Sequence, residues 1–142
     1  EKGIIFNNVQ STNYNSIYNQ DNKSVCFENS EAMLIVFVND CFLDRSLSIE
    51  KSCKIQRIDI SNLKIRNAGL SLKNSNVDFF SISNSRTEIN LSNSIFNKQI
   101  RFESILGDIS FIKNEFKEDL MFWNLQCPFG FTLNYNQFKD AF

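Results

Sequence analysis

Side chains able to do acid–base chemistry gather in one stretch, where Glu103, Asp108, Glu115, Glu118 and Asp119 fall within seventeen residues. Paired carboxylates can hydrolyse a glycoside or hold a hard cation. Here they alternate with Lys113 and Lys117 at positions expected to face outward, which is the pattern of a solvated mixed-charge surface. Asp59, Asp78 and Lys64 are likewise expected near one another on neighbouring elements, as ordinary edge charges. The chain has no His, which removes the usual general base, the Ser–His and Cys–His nucleophile pairs and the commonest metal ligand. With four Gly there is no GxGxxG or GxxxxGK[ST] loop to cradle phosphates. Cys26, Cys41, Cys53 and Cys127 form no CxxC and fit no zinc spacing, so free thiols, buried or half-buried, are expected. No catalytic residue, cofactor or metal is assigned, and the chain is not read as an enzyme.

Charge offers a better candidate. The formal net charge is −1, too small to imply nucleic acid or a membrane surface as partner. It is unevenly spread: residues 1–44 sum to −4, residues 45–73 to +5 and residues 74–142 to −2. Arg45, Lys51, Lys54, Arg57, Lys64 and Arg66 make the central zone basic. Lys54, Arg57 and Lys64 neighbour inward residues, so their own side chains should point out. The six form a candidate interaction patch for an acidic protein or a phosphate, with a solubilising flank as the competing reading. Fifteen Phe against one Trp and three Tyr give aromatic content with few polar handles, which suits an interior more than a base-stacking face. No apolar run approaches the roughly 18 residues that span a bilayer, and residues 1–20 lack the form of a signal peptide. A cytoplasmic protein without a membrane or nucleic-acid partner is expected.

The elements that must position these groups are strands, because apolar residues alternate with period two. Inward pairs recur about every twenty residues. One column runs Val36/Val38, Ile58/Ile60, Phe80/Ile82, Ile100/Phe102 and Leu120/Phe122. A second runs Val25/Phe27, Leu47/Ile49, Leu70/Leu72, Ile89/Leu91, Ile109/Phe111 and Phe129/Phe131. Between them fall Cys53/Ile55, Val77, Phe96, Phe116 and Phe138 on one side, and Phe42, Leu63/Ile65, Ile105 and Leu125 on the other. Four inward columns at a fixed period mean a solenoid, in which coils bury jointly what none can bury alone. The expected fold is an all-β parallel β-helix of about six coils with 20–22 residues each. Residues 1–142 form a single domain, with 1–24 as an irregular first coil or cap and 25–142 as regular coils. Ser30, Ser75, Ser94, Asn114 and Asn136 each stand two residues before an inward side chain, where a small polar group can satisfy backbone freed by a turn. The coil around Ser52 and Lys54 breaks that pattern, so an irregularity is expected there.

Phe96, Phe102, Phe111, Phe116 and Phe122, with the intervening KQIRF, GDISF, KNEF and EDLMF, resemble the Phe-rich variant of the pentapeptide-repeat family. The resemblance is clearest over residues 55–142. It implies a right-handed quadrilateral β-helix, a non-enzymatic role in binding another protein, and dimerisation through the C-terminal end. The chain departs from the family where Ile58, Phe80, Ile100, Ile109 and Leu120 replace the usual small residue, so some faces should be wider or more strand-like. Two other solenoids remain open: the stretch from Leu106 to Phe116 fits the leucine-rich-repeat form once, and a general parallel β-helix tolerates Asn columns and coils near twenty-two residues.

Met121, Trp123, Phe129 and Phe142 place apolar surface where the stack ends without a polar cap, a candidate end-to-end interface. The leading functional expectation is a rigid scaffold for an unidentified protein partner. The alternatives are a carbohydrate-active or carbohydrate-binding β-helix, which requires a carboxylate-lined groove with aromatic platforms, and a DNA mimic engaging topoisomerases, as some pentapeptide-repeat proteins do.

Overall fold

The computed structural model describes residues 4–7 and 25–139. Over them the chain runs through seventeen short strands and no helix: β1 (Ile4–Asn7), β2 (Val25–Glu28), β3 (Glu31–Val38), β4 (Cys41–Leu43), β5 (Ser46–Glu50), β6 (Lys54–Ser61), β7 (Leu63–Ile65), β8 (Gly69–Lys73), β9 (Asn76–Arg86), β10 (Ile89–Ser92), β11 (Ile95–Phe96), β12 (Ile100–Leu106), β13 (Ile109–Ile112), β14 (Glu115–Phe116), β15 (Leu120–Trp123), β16 (Phe131–Asn134) and β17 (Gln137–Phe138). Every pairing is parallel, and each strand pairs with its counterpart one coil away. The result is a parallel β-solenoid of about five turns. The difference from six is one of counting, since six rungs on a side enclose five turns.

Each coil has four sides. The first is the sheet β2–β5–β8–β10–β13–β16. The second joins the opening residues of β3, β6 and β9 to β11, β14 and β17, and the third joins the later parts of β3, β6 and β9 to β12 and β15. The fourth carries β4, β7, the end of β9 and the end of β12. Of the segment 1–24, Ile4–Asn7 pairs with Ile35–Val38, and the remainder lies outside the described residues.

The four inward columns meet in an apolar core, and aromatic rings thread it from coil to coil. Phe96 stacks on Phe116 at 5.2 Å between ring centres, Phe116 on Phe138 at 5.2 Å and Phe102 on Phe122 at 5.4 Å. Such pairs add roughly 0.5–1.5 kcal/mol each beyond the area they bury.

Three inward assignments need correction. Ile35 and Phe37 fill the third side, with Val36 and Val38 outside them and half-buried. Across the run Ala32–Val38 every residue is apolar, so alternation cannot set the register there. What sets it is the corner: two residues separate Ala32 from Ile35, as two separate Ile55 from Ile58 and Val77 from Phe80. On the fourth side Cys41 and Leu43 are buried while Phe42 lies outward and half-buried, under the Arg66 guanidinium at 5.4 Å. In the last coil Phe131 and Leu133 continue the first side in place of Phe129/Phe131. Pro128 and Phe129 lengthen that return, whose backbone amides at Phe129 and Gly130 donate to Asp108 Oδ1 at 2.9 and 3.1 Å.

The corners are built from left-handed residues. Asn29, Asn74, Asn93, Lys113 and Tyr135 have positive φ between the first and second sides, as do Asn62, Asn84, Ser104 and Asn124 between the third and fourth. Asn tolerates this region better than other side-chain-bearing residues do. At the first of these corners the next residue is the repeating Ser or Asn. The backbone N–H of Ser75 donates to Ser94 Oγ (3.1 Å), that of Ser94 to Asn114 Oδ1 (3.1 Å) and that of Asn114 to Asn136 Oδ1 (2.9 Å). Ser30, Ser75 and Ser94 in turn donate from Oγ to the carbonyl two residues back. The irregular coil near Ser52 is present. Lys51 and Ser52 both have positive φ, and Cys53 replaces the polar residue, its thiol donating to the Glu50 carbonyl at 3.2 Å. Asn39–Asp40–Cys41 repeats the device, with Cys41 Sγ 3.3 Å from the Val38 carbonyl.

Candidate functional site

The six basic residues of the central zone are divided by the coil geometry among several sides. Lys51 stands at the corner before β6 and donates to Glu28 at 2.8 Å, a bond that raises its pKa. Lys54, on the second side, lies 3.6 Å from Glu31. Arg57, at the edge of the third, is bonded at 2.5 Å to Asp59, which raises its pKa too. These three cations are therefore answered by acids one coil or two residues away, and each pair is largely exposed, so solvent screens it.

The fourth side differs. Lys64 points outward between the buried Leu63 and Ile65, and one coil on it faces Arg86, which points outward between the buried Ser85 and Thr87. Strands in register lie about 4.8 Å apart, so two cations are held side by side. Among the described residues no carboxylate lies within ion-pair distance of either. Arg66, two residues beyond Lys64, spans Phe42 and reaches the fully buried Asp44 at 3.5 Å. Asn67 Nδ2 also lies 3.5 Å from Asp44 Oδ1, while Oδ2 of Asp44 has no bond among the described residues. Arg45, half-buried, follows Asp44 at the next corner. Thus Arg45, Lys64 and Arg66 of the expected patch keep to one flank and Lys51, Lys54 and Arg57 do not. Arg86 was missed by the sequence reading. Its signal was the spacing, since it stands one coil of 22 residues after Lys64.

The acidic stretch is dispersed. Glu103 pairs with Arg101 at 2.6 Å, Asp108 caps a turn, and Glu115 pairs with Lys139 at 2.7 Å, which lowers its pKa. Glu118 and Asp119 are exposed on the corner before β15. Asp59 and Asp78 are held by Arg57 and by Asn97 Nδ2 (2.9 Å), not by Lys64. Cys26 Sγ, Glu28 and Glu50 approach within 4.8 Å of one another on the first side, with Lys51 already bonded to Glu28.

At the last coil Trp123 is exposed and Met121 half-buried, and Phe129 is 92 % exposed on its return loop. Phe142 lies outside the described residues. Phe131 and Phe138, which the sequence placed inside, are partly exposed on the outermost rungs, as is Leu133.

No helix of the described residues is long and apolar enough to cross a membrane. No family model matches the sequence, and no curated protein or solved structure matches it either.

Proposed function

We propose that this chain is a non-enzymatic interaction scaffold of the pentapeptide-repeat type, acting in the cytoplasm, which docks an acidic protein partner on its fourth side. The single observation that carries the reading is the Lys64/Arg86 rung: two neighbouring outward cations with no described acid in reach, whereas Lys51, Lys54, Arg57 and Arg66 each have one. A rigid coil holds such a rung without further ordering on binding, and clustered cations raise the encounter rate of an acidic partner. The family likeness is supported by four inward positions per coil and by register steps of 20 residues from Phe80 to Ile100 and from Ile100 to Leu120.

The test is fluorescence anisotropy with a labelled Glu-rich peptide at low and at physiological salt. Lys64→Glu combined with Arg86→Glu should weaken binding by about tenfold, the sum expected of two rim charges near 0.7 kcal/mol each. The matched pair Lys54→Glu and Arg57→Glu should change it far less. Equal loss in both double variants would refute the assignment to the fourth side.

A further inference from the structure

The corner between the second and third sides changes type along the rod. In the first three coils two outward residues bridge it, Met33–Leu34, Gln56–Arg57 and Asp78–Phe79, and β3, β6 and β9 run through unbroken. In the next two coils three residues bridge it, Asn97–Gln99 and Lys117–Asp119, and the strand is interrupted. The extra residue makes a step at which Lys98 reaches over the Phe79 ring, 6.0 Å from its centre, and Asn97 bonds Asp78. Below the step two adjoining hollows of about 350 and 290 Å³ share Met33, Gln56 and Asp78 as lining.

The chemistry of this groove is that of a ligand without charge. Its ions already have partners within the surface: Glu31 has Lys54, Arg57 has Asp59, Asp78 the Asn97 amide and Lys98 the Phe79 ring. A charged ligand entering here would lose hydration and have to displace one of these contacts. Apolar surface remains at Met33 (48 % exposed) and Phe79 (42 % exposed), beside the exposed amides of Gln56 and Asn76. An aromatic face flanked by side-chain amides matches a pyranose ring, which has an apolar C–H face and a rim of hydroxyls. The residues 33, 56 and 78 lie on successive coils about 4.8 Å apart, so the groove runs along the rod axis and favours a chain of rings over a single one. We propose that it binds an uncharged oligosaccharide, on a surface separate from the basic rung of Lys64 and Arg86.

The experiment is a glycan array probed with the fluorescently labelled chain at physiological salt. Retention by a group of neutral glycans is expected, falling by about tenfold for Phe79→Ala and restored by Phe79→Trp. Gln56→Ala, at an exposed site with no role in the core, provides a second variant should Phe79→Ala melt early. Retention that survives both substitutions overturns the proposal. So does retention limited to anionic glycans and abolished by salt, which would point to the basic rung. Failure of every neutral glycan also overturns it, and leaves Met33 and Phe79 as an apolar contact for a protein.

Discussion

Replacing Asn114 by Ala tests the side-chain ladder at its most buried rung. Asn114 Oδ1 receives the backbone N–H of Ser94 at 3.1 Å, and its Nδ2 donates to the Leu91 carbonyl at 2.8 Å. Ser94 and Leu91 are both buried, so Ala leaves a donor without an acceptor in a place closed to water. That stranded amide costs roughly 1–3 kcal/mol, and the lost Nδ2 bonds to the Leu91 carbonyl and to Asn136 Oδ1 (3.1 Å) roughly 0.5–1.5 each, about 2–6 kcal/mol together. Ser at the same position can accept from Ser94 as Ser94 accepts from Ser75, so Asn114→Ser should cost only the two Nδ2 bonds, about 1–3 kcal/mol. Urea unfolding gives both values. Because coils of a solenoid need not unfold together, hydrogen exchange at the Ser94 amide is measured beside it and should lose protection in the Ala variant first. Equal destabilisation by Ala and Ser, or a change under about 0.5 kcal/mol for both, would refute the ladder as a source of stability.

Two further outcomes follow from the same geometry. Gly107 has φ +154°, and a Cβ there would stand 2.0 Å from the Thr87 carbonyl oxygen, so Gly107→Ala should lose on the order of 2–5 kcal/mol in thermal or urea unfolding. Gly130→Ala, with nothing within 4 Å of the new carbon, is the control expected within about 0.5 kcal/mol of the parent. Among the thiols, exposed Cys26 should react first with iodoacetamide at mildly alkaline pH. Cys127 should lag because burial, and then the charge of Asp108, raise its pKa, and Cys41 and Cys53 should label only on unfolding. Mass spectrometry of timed samples reads the order, and early labelling of Cys53 would contradict its place in the core.

The repeat was legible because burial in a solenoid recurs at a fixed residue count, and the columns through Ile58, Phe80 and Ile100 could be stacked from spacing alone. The register failed where that signal vanishes. In Ala32–Val38 every residue is apolar, so inside and outside look alike, and the two-residue corner that decides between them is a backbone property. The end column failed for another reason: Phe129 is as apolar as Phe131, and only the longer return made by Pro128 and the cap from Asp108 distinguish them. The corner residues carried a readable mark that went unused, since Asn74, Asn84 and Asn93 each precede a Ser and each take positive φ. The basic patch was half legible. Sequence proximity grouped Lys51, Lys54 and Arg57 with Lys64, but in a coil neighbours along the axis are about twenty residues apart, and so Arg86 belongs with Lys64 while Lys51 does not.

The ladder of corner amides also has a direction. Each coil supplies a donor and the coil after it supplies the acceptor: Ser94 serves Ser75, Asn114 serves Ser94 and Asn136 serves Asn114. Deleting a coil from the early end would free an acceptor, which water can hydrate at little cost. Deleting one from the late end would orphan a donor in the coil left behind. The rod is therefore asymmetric toward shortening, and during synthesis a coil's corner is completed only when the next one has emerged.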